Sequence, residues 1–186
     1  MLTLPNLITI ARIMGSGAML WLAQAGAADL FLATFVLLAL SDWVDGKLAV
    51  LRHERTVVGA RMDSIADAVL YACLLVGMIW LEPGLARSEA LLIAVVITSY
   101  GVAVAASLAR FRRLPAYHTR AAKICWFLVS IGAVILLLDG PVWPARVAMI
   151  GVLLTNIEAT AITFTLREWR TDVPTIWHAM RRFRRE

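Results

Sequence analysis

Charge is scarce in this chain of 186 residues. Only 17% of its residues are Asp, Glu, Lys or Arg, and 61% are hydrophobic, against roughly 45–50% apolar in soluble domains. With a mean hydropathy of +0.78 and apolar runs of membrane-spanning length, this argues against a soluble helical bundle. Cysteine is sparser still, with two residues. Cys73 and Cys125 lie within apolar runs and lack metal-ligand spacing, so they read as small core residues, not as a disulfide framework or thiolate site. No long linker, Gln/Asn-rich tract or internal repeat divides the sequence, and its length suits one domain. Met1 to Asn6 has no basic segment and no Ala-x-Ala site stands before a polar mature segment, so no cleaved signal peptide is expected.

What is present is a series of apolar segments, each near the roughly 20 helical residues a bilayer requires. They run about 7–25, 28–51, 60–81, 88–110, 119–138 and 143–166. The expected fold is therefore an all-α integral membrane protein with six transmembrane helices. Pro5 suits a helix start, and Glu82-Pro83-Gly84 and Asp139-Gly140-Pro141 read as turns.

The formal charge of +5 does not point to nucleic acid, because the basic residues gather at the ends of apolar segments. Arg87 and Arg146 stand alone at one set of ends. The other sixteen Lys and Arg lie near the N-terminus, in the 2–3 and 4–5 connections and in the C-terminal tail. The positive-inside rule makes those parts, and both termini, cytoplasmic. Residues 1–170 form the expected membrane domain and 171–186 a basic tail. In that tail Val173, Ile176, Trp177, Met180 and Phe183 fall near helical spacing, as in an amphipathic helix lying on an anionic leaflet.

Four aspartates break the apolar pattern. Asp42 and Asp45 close the second segment, and Asp63 and Asp67 open the third. Spacings of three and four put each pair on one helix face. A carboxylate within a span costs about 2.5–3.5 kcal/mol, and four together repel one another unless cations compensate. One or two hard divalent ions would satisfy them. Pairing with Lys47, Arg52, Arg55 or Arg61 is the competing account. Gly46, Ala49 and Gly59 are small residues beside the aspartates. They leave room for a ligand or for a close helix contact. Asn156 and Glu158 lie mid-way along the sixth segment. There a bond to a neighbouring helix, or a protonated Glu158 at a dimer interface, is as good an account as a functional one.

Asp42-x-x-Asp45-Gly46-x-x-Ala49 followed by Gly59-x-x-x-Asp63-x-x-x-Asp67 resembles the signature of the CDP-alcohol phosphotransferases, membrane enzymes of phospholipid synthesis. Leu4 to Arg12 resembles the first helix of the phosphatidylglycerophosphate synthases among them. The resemblance implies a homodimer with a cytoplasm-facing site, in a bacterial inner membrane. It implies that Asp42, Asp45, Asp63 and Asp67 bind two Mg²⁺ or Mn²⁺ ions and that Asp67 is the catalytic base. It also implies that Asn6, Thr9, Gly46, Ala49, Thr56 and Gly59 bind the CDP-lipid. The implied reaction transfers a phosphatidyl group from CDP-diacylglycerol to a small alcohol, with release of CMP. Glycerol 3-phosphate is the first acceptor to consider, then an inositol phosphate, then serine or another alcohol. The family pattern has Arg directly after the alanine, where this chain has Val50. Arg52 lies roughly 200° further round a helix, which leaves Arg55 or Arg61 to supply that charge. Lys is common after the last aspartate, where Ala68 stands here.

The connection Arg110 to Lys123 is rich in cations. In relatives that use phosphorylated acceptors, basic residues in this region hold the acceptor phosphate. Arg120 and Lys123 are the acceptor-binding candidates on that basis, with His118 beside them. A divalent-cation carrier or a non-catalytic membrane scaffold is the alternative from another class. The carrier leaves the glycine spacing unexplained, and Val50 favours the scaffold.

Overall fold

A computed structural model describes residues 4–51, 57–117, 119–170 and 173–183, which form helices and the connections between them. The helices are α1 (Leu4–Gln24), α2 (Ala28–Leu51), α3 (Val57–Leu81), α4 (Pro83–Ser88), α5 (Ala90–Phe111), α6 (Arg120–Leu137), α7 (Trp143–Thr165) and α8 (Ile176–Phe183). Among the described residues there is no β-strand. Four stretches among the described residues are long and apolar enough to cross a bilayer: Asn6–Gln24, Ala90–Phe111, Arg120–Leu137 and Trp143–Thr165. Their outward faces carry large apolar side chains such as Met14, Leu91, Phe127 and Phe164, which suits an integral membrane protein.

The expected turn at Glu82-Pro83-Gly84 is instead the start of α4. Pro83 opens that helix, as the missing N–H of proline allows at a first helical position. The turn at 139–141 is present in a specific form. Asp139 is left-handed (φ 57°), its N–H reaches Leu136 O, and the Gly140 N–H reaches Ile135 O at 2.8 Å. This is the paired closure of a Schellman motif. A Cβ on Gly140 would stand 2.6 Å from the Ile135 carbonyl oxygen, so the position has no room for a side chain. Gly26 (φ 71°) closes α1 in the same way.

Contacts divide the chain into Met1–Arg87 and Ser88–Glu186. In the first unit α1 packs against both α2 and α3. Its buried residues are Thr9, Arg12, Ser16, Met19 and Ala23, a stripe with alternating steps of three and four that marks one helix face. The half near Ala23 is apolar, and the half near Thr9 is polar. Phe31 and Phe35 are buried on α2, and Leu70, Leu74 and Gly77 on α3. Leu38 of α2 lies over Gly15 of α1, and the Phe31 ring lies over Gly77. The stripe on α2 continues four residues past Leu38 to Asp42, and that on α3 begins at Asp63 and Asp67. All three stripes therefore run from an apolar end to a polar end.

In the second unit α7 is central, touching α5, α6 and α8. Gly132 of α6 sits against the Ala145 backbone, and Gly151 of α7 against Cys125 Sγ. Asn156 donates to Ser99 Oγ across α5 and α7 at 2.9 Å. Arg146 donates twice to Glu89 Oε1, at 3.0 and 2.6 Å, and these hydrogen bonds hold the Glu89 carboxyl below its ordinary pKa.

The C-terminal segment is built into this unit. Val173 and Ala179 are buried with Tyr117, Ile162 and Leu166, and Ile176 packs against them. Trp177 and Met180 are exposed, so the face of α8 that packs inward runs through Ala179, and these two residues lie on another face. Glu158 Oε1 accepts from the Ile176 N–H at 3.2 Å. The mid-helix carboxylate thus serves an amide at the start of α8, one of the donors a helix leaves unsatisfied. The Arg120 N–H donates to Pro174 O at 3.0 Å. Tyr117 bonds to Thr163 at 2.8 Å; since the threonine hydroxyl already donates to Ala159 O, the tyrosine is the donor.

Replacing Gly77 with leucine would drive a side chain into Phe31, whose ring stands 2.3–2.5 Å from the ideal Cβ. The expected loss is about 1–3 kcal/mol of stability, measurable as a lower melting temperature in detergent. Glu158→Ala should leave the Ile176 amide without its acceptor. Faster amide exchange at residues 176–179, with unchanged exchange in α1 to α3, is the expected result.

Candidate active site

Where the polar ends of the α1, α2 and α3 stripes meet, one arginine faces three carboxylates. Arg12 Nη1 donates to Asp42 Oδ1 at 2.5 Å, to Asp67 Oδ1 at 3.0 Å and to Asp63 Oδ1 at 3.2 Å. The arginine side chain is fully buried, whereas those of Asp42 and Asp63 are about two-fifths exposed, at 40% and 42%, and that of Asp67 is 23% exposed. The helix pattern explains the meeting. Asp42 lies four residues beyond Leu38 on the α2 face toward α1. Asp63 and Asp67 are one turn apart on α3 and precede Leu70 on the same face. Arg12 lies between Thr9 and Ser16 on the face of α1 that both helices cover, and Ser16 Oγ donates back to the Arg12 carbonyl at 2.8 Å.

Arg12 is the member of the site that the sequence reading passed over. Its signal was available: an arginine on the second turn of an apolar segment is a functional candidate by default. By position alone it counts among the charges that set orientation. The carboxylates' observed partner thus comes from α1, 30 to 55 residues away. Of the nearby cations expected as competitors, Arg52 and Arg55 lie outside the described residues, as do the side chains of Lys47 and Arg61.

Oxygens of Asp42, Asp63 and Asp67 lie within 4.8 Å of one another. That span is about twice a bond of roughly 2.0–2.6 Å between a hard divalent ion and oxygen. A single ion could therefore bridge the three with small side-chain adjustments. Charge agrees with size. Three carboxylates facing one guanidinium leave two negative charges uncompensated among the described residues, and all-oxygen donors suit Mg²⁺ or Mn²⁺.

The remaining expected site residues are distributed as follows. Thr9 is buried one turn before Arg12, and Asn6 is half-buried a turn earlier. Asp45, Gly46 and Ala49 belong to the last two turns of α2, with side chains outside the described residues, and Gly59 is half-buried in the first turn of α3. Thr56 and His118 lie outside the described residues. Arg120 and Lys123 are exposed in the first turn of α6, in the other unit. Thr119 caps that helix by accepting from the Ala122 N–H. Two other cations of the connection have structural work. Arg110 donates to Leu166 O at 2.9 and 3.2 Å, and the Arg113 guanidinium stacks 4.9 Å from the Trp169 ring centre.

A sequence profile of the CDP-alcohol phosphatidyltransferase family matches residues 2–164. Over 90 residues the chain is 37% identical to the chloroplastic CDP-diacylglycerol–glycerol-3-phosphate 3-phosphatidyltransferase 1 of Oryza sativa subsp. japonica, covering 45% of this chain and 26% of that protein. It is 36% identical over 90 residues to the CMP-forming cardiolipin synthase of Streptomyces coelicolor, covering 44% of this chain and 40% of that protein. The matches thus span less than half the length of either curated relative. No solved structure matches the chain. The profile match runs through α1, both aspartate-bearing helices and most of α7, and the chain therefore belongs to the CDP-alcohol phosphatidyltransferase family, a family of transferases in phospholipid synthesis.

Proposed function

We propose that this protein transfers a phosphatidyl group from CDP-diacylglycerol to a small alcohol, releasing CMP, with glycerol 3-phosphate as the acceptor. The observation that carries this reading is the convergence of Asp42, Asp63 and Asp67 in a chain of this family. The acceptor rests on the name of the rice relative, a glycerol-3-phosphate phosphatidyltransferase, and on the cations of the 110–123 connection. In this reading α2 and α3, with 24 and 25 residues, also cross the bilayer, giving six spans. Their length of about 36–38 Å at 1.5 Å per residue is sufficient. Both termini and the aspartates face the cytoplasm, on the side rich in Lys and Arg. Residues 1–170 are the membrane domain, and α8 lies at the bilayer surface with Trp177 and Met180 outward. The protein works as a homodimer in a bacterial inner membrane.

Asp42, Asp45, Asp63 and Asp67 would hold two Mg²⁺ or Mn²⁺ ions, which when bound neutralise the diphosphate and the charge developing on CMP. Asp67 is the most enclosed of the three described carboxylates and takes the proton of the acceptor hydroxyl. The acceptor oxygen then bonds to the phosphorus that carries diacylglycerol as the bond from that phosphorus to CMP breaks. Gly46, Ala49 and Gly59 leave space for the nucleotide, while Asn6, Thr9 and Thr56 contact the CDP-lipid. Arg120 and Lys123 meet the acceptor phosphate through charge-assisted hydrogen bonds.

The test is release of CMP by purified protein given CDP-diacylglycerol, Mg²⁺ or Mn²⁺ and a panel of alcohols. Asp67→Asn should lower turnover about 10²–10⁴-fold, the usual contribution of a positioned base; full activity in that variant would remove the base assignment. Chelation should abolish release, and added Mg²⁺ or Mn²⁺ should restore it. Arg120→Ala and Lys123→Ala should each raise KM for glycerol 3-phosphate about tenfold, with the KM for the donor unchanged. Val50→Arg should tighten donor binding if the missing family arginine limits it. No CMP with any acceptor, from protein that still binds metal, would sink the enzyme reading in favour of a scaffold.

A further inference from the structure

We propose that Arg12 is a displaceable counter-cation, occupying the point among Asp42, Asp63 and Asp67 at which a divalent ion would bind. The affinity of the site for that ion is then set by competition with the protein's own guanidinium. The proposal rests on reading these aspartates as ion ligands.

Three observations carry it. First, the same three residues that could share an ion are the ones that Nη1 contacts, at 2.5, 3.0 and 3.2 Å. An ion bonded to these carboxylates at roughly 2.0–2.6 Å would overlap that nitrogen or confront it across a single layer of oxygen atoms. At such a distance two cations repel strongly, the more so in a poorly solvated site. Second, the arginine cannot withdraw by losing its proton, because guanidinium stays charged in proteins; relief requires the side chain to move. Third, the pocket is asymmetric. The Arg12 side chain is fully buried, whereas those of Asp42 and Asp63 are 40% and 42% exposed, so the carboxylates are accessible to an ion where the arginine is not.

A purely structural tie and a displaceable counter-cation differ in what they do to ion affinity. If Arg12 only anchors α1, its removal weakens the fold equally with or without the ion. If it competes, its removal destabilises the protein chiefly where no ion is present to replace its charge, and the ion then binds more tightly.

The test is Mn²⁺ titration of the full chain in detergent, read by electron paramagnetic resonance. Melting temperatures are taken alongside, in chelator and in saturating Mn²⁺. Arg12→Gln should bind Mn²⁺ at least about tenfold more tightly than wild type, as expected for removing a neighbouring positive charge. Its melting temperature should fall in chelator and recover in Mn²⁺. Unchanged or weaker Mn²⁺ binding, with the same loss of melting temperature in both conditions, overturns the proposal. Should Arg12→Gln not fold, Arg12→Lys keeps the charge but is too short to serve three carboxylates. It should bind Mn²⁺ more tightly than wild type by a smaller factor, and equal or weaker binding overturns the proposal. Two arms separate this from the underlying reading. Wild type that takes up no Mn²⁺, or Asp63→Asn that binds it as tightly as wild type, overturns the aspartates as ion ligands and the Arg12 proposal with them. Intact wild-type binding that Asp63→Asn weakens and Arg12→Gln leaves unchanged overturns the Arg12 proposal alone.

Discussion

A guanidinium with no route to neutrality, held among carboxylates at the polar ends of three helices, is the constraint on which the first unit depends. Burying an unpaired arginine is costly, and so is crowding aspartates without a cation. Neither group is tolerable there alone, so the two sides specify each other. Once Arg12 faces Asp42, Asp63 and Asp67, the register of α1 against both partners is fixed. Apolar residues alone would fix it less well, because a stripe of leucines can slide by a turn at little cost. Met19, Phe31, Phe35 and Leu70 supply the close packing, and the charged junction determines which residues meet.

Much of the helical architecture was legible from hydrophobic runs, because the α1 stretch and α5 to α7 are each continuous apolar segments of bilayer length. The ends were legible where turn chemistry was strong, as at Asp139-Gly140, and ambiguous where it was not. Pro83 is equally good at leaving a helix and at starting one, so α4 could not be told from a loop. In α8 the bulky Trp177 and Met180 drew attention to one face. The helix turns a different one inward, because Ala179 is small enough to approach Ile162 and Leu166 closely.

At the site the asymmetry is similar. The aspartates announce themselves by spacing, since carboxylates three and four residues apart in an apolar chain have few innocent explanations. Their partner on α1 does not. A lone arginine near a helix start gives the same signal whether it faces phosphate headgroups, solvent or a buried acid. What separates these cases is the insertion of α1 against α2 and α3, a contact between residues 30 to 55 positions apart. Periodicity within one segment carries no information about that.

The docking of the last helix has a bearing on the start of α6. The Pro174 carbonyl receives the Arg120 amide, and the Ile176 amide is received by Glu158. Any sufficiently basic sequence would be drawn to an anionic membrane surface, so charge alone would place few demands on this segment beyond composition. A strand of chain that must deliver one carbonyl and one amide to fixed partners is constrained by distance. The C-terminal segment therefore acts as a brace cut to length: insertions or deletions between Leu166 and Ile176 would disturb it more than substitutions that alter its charge.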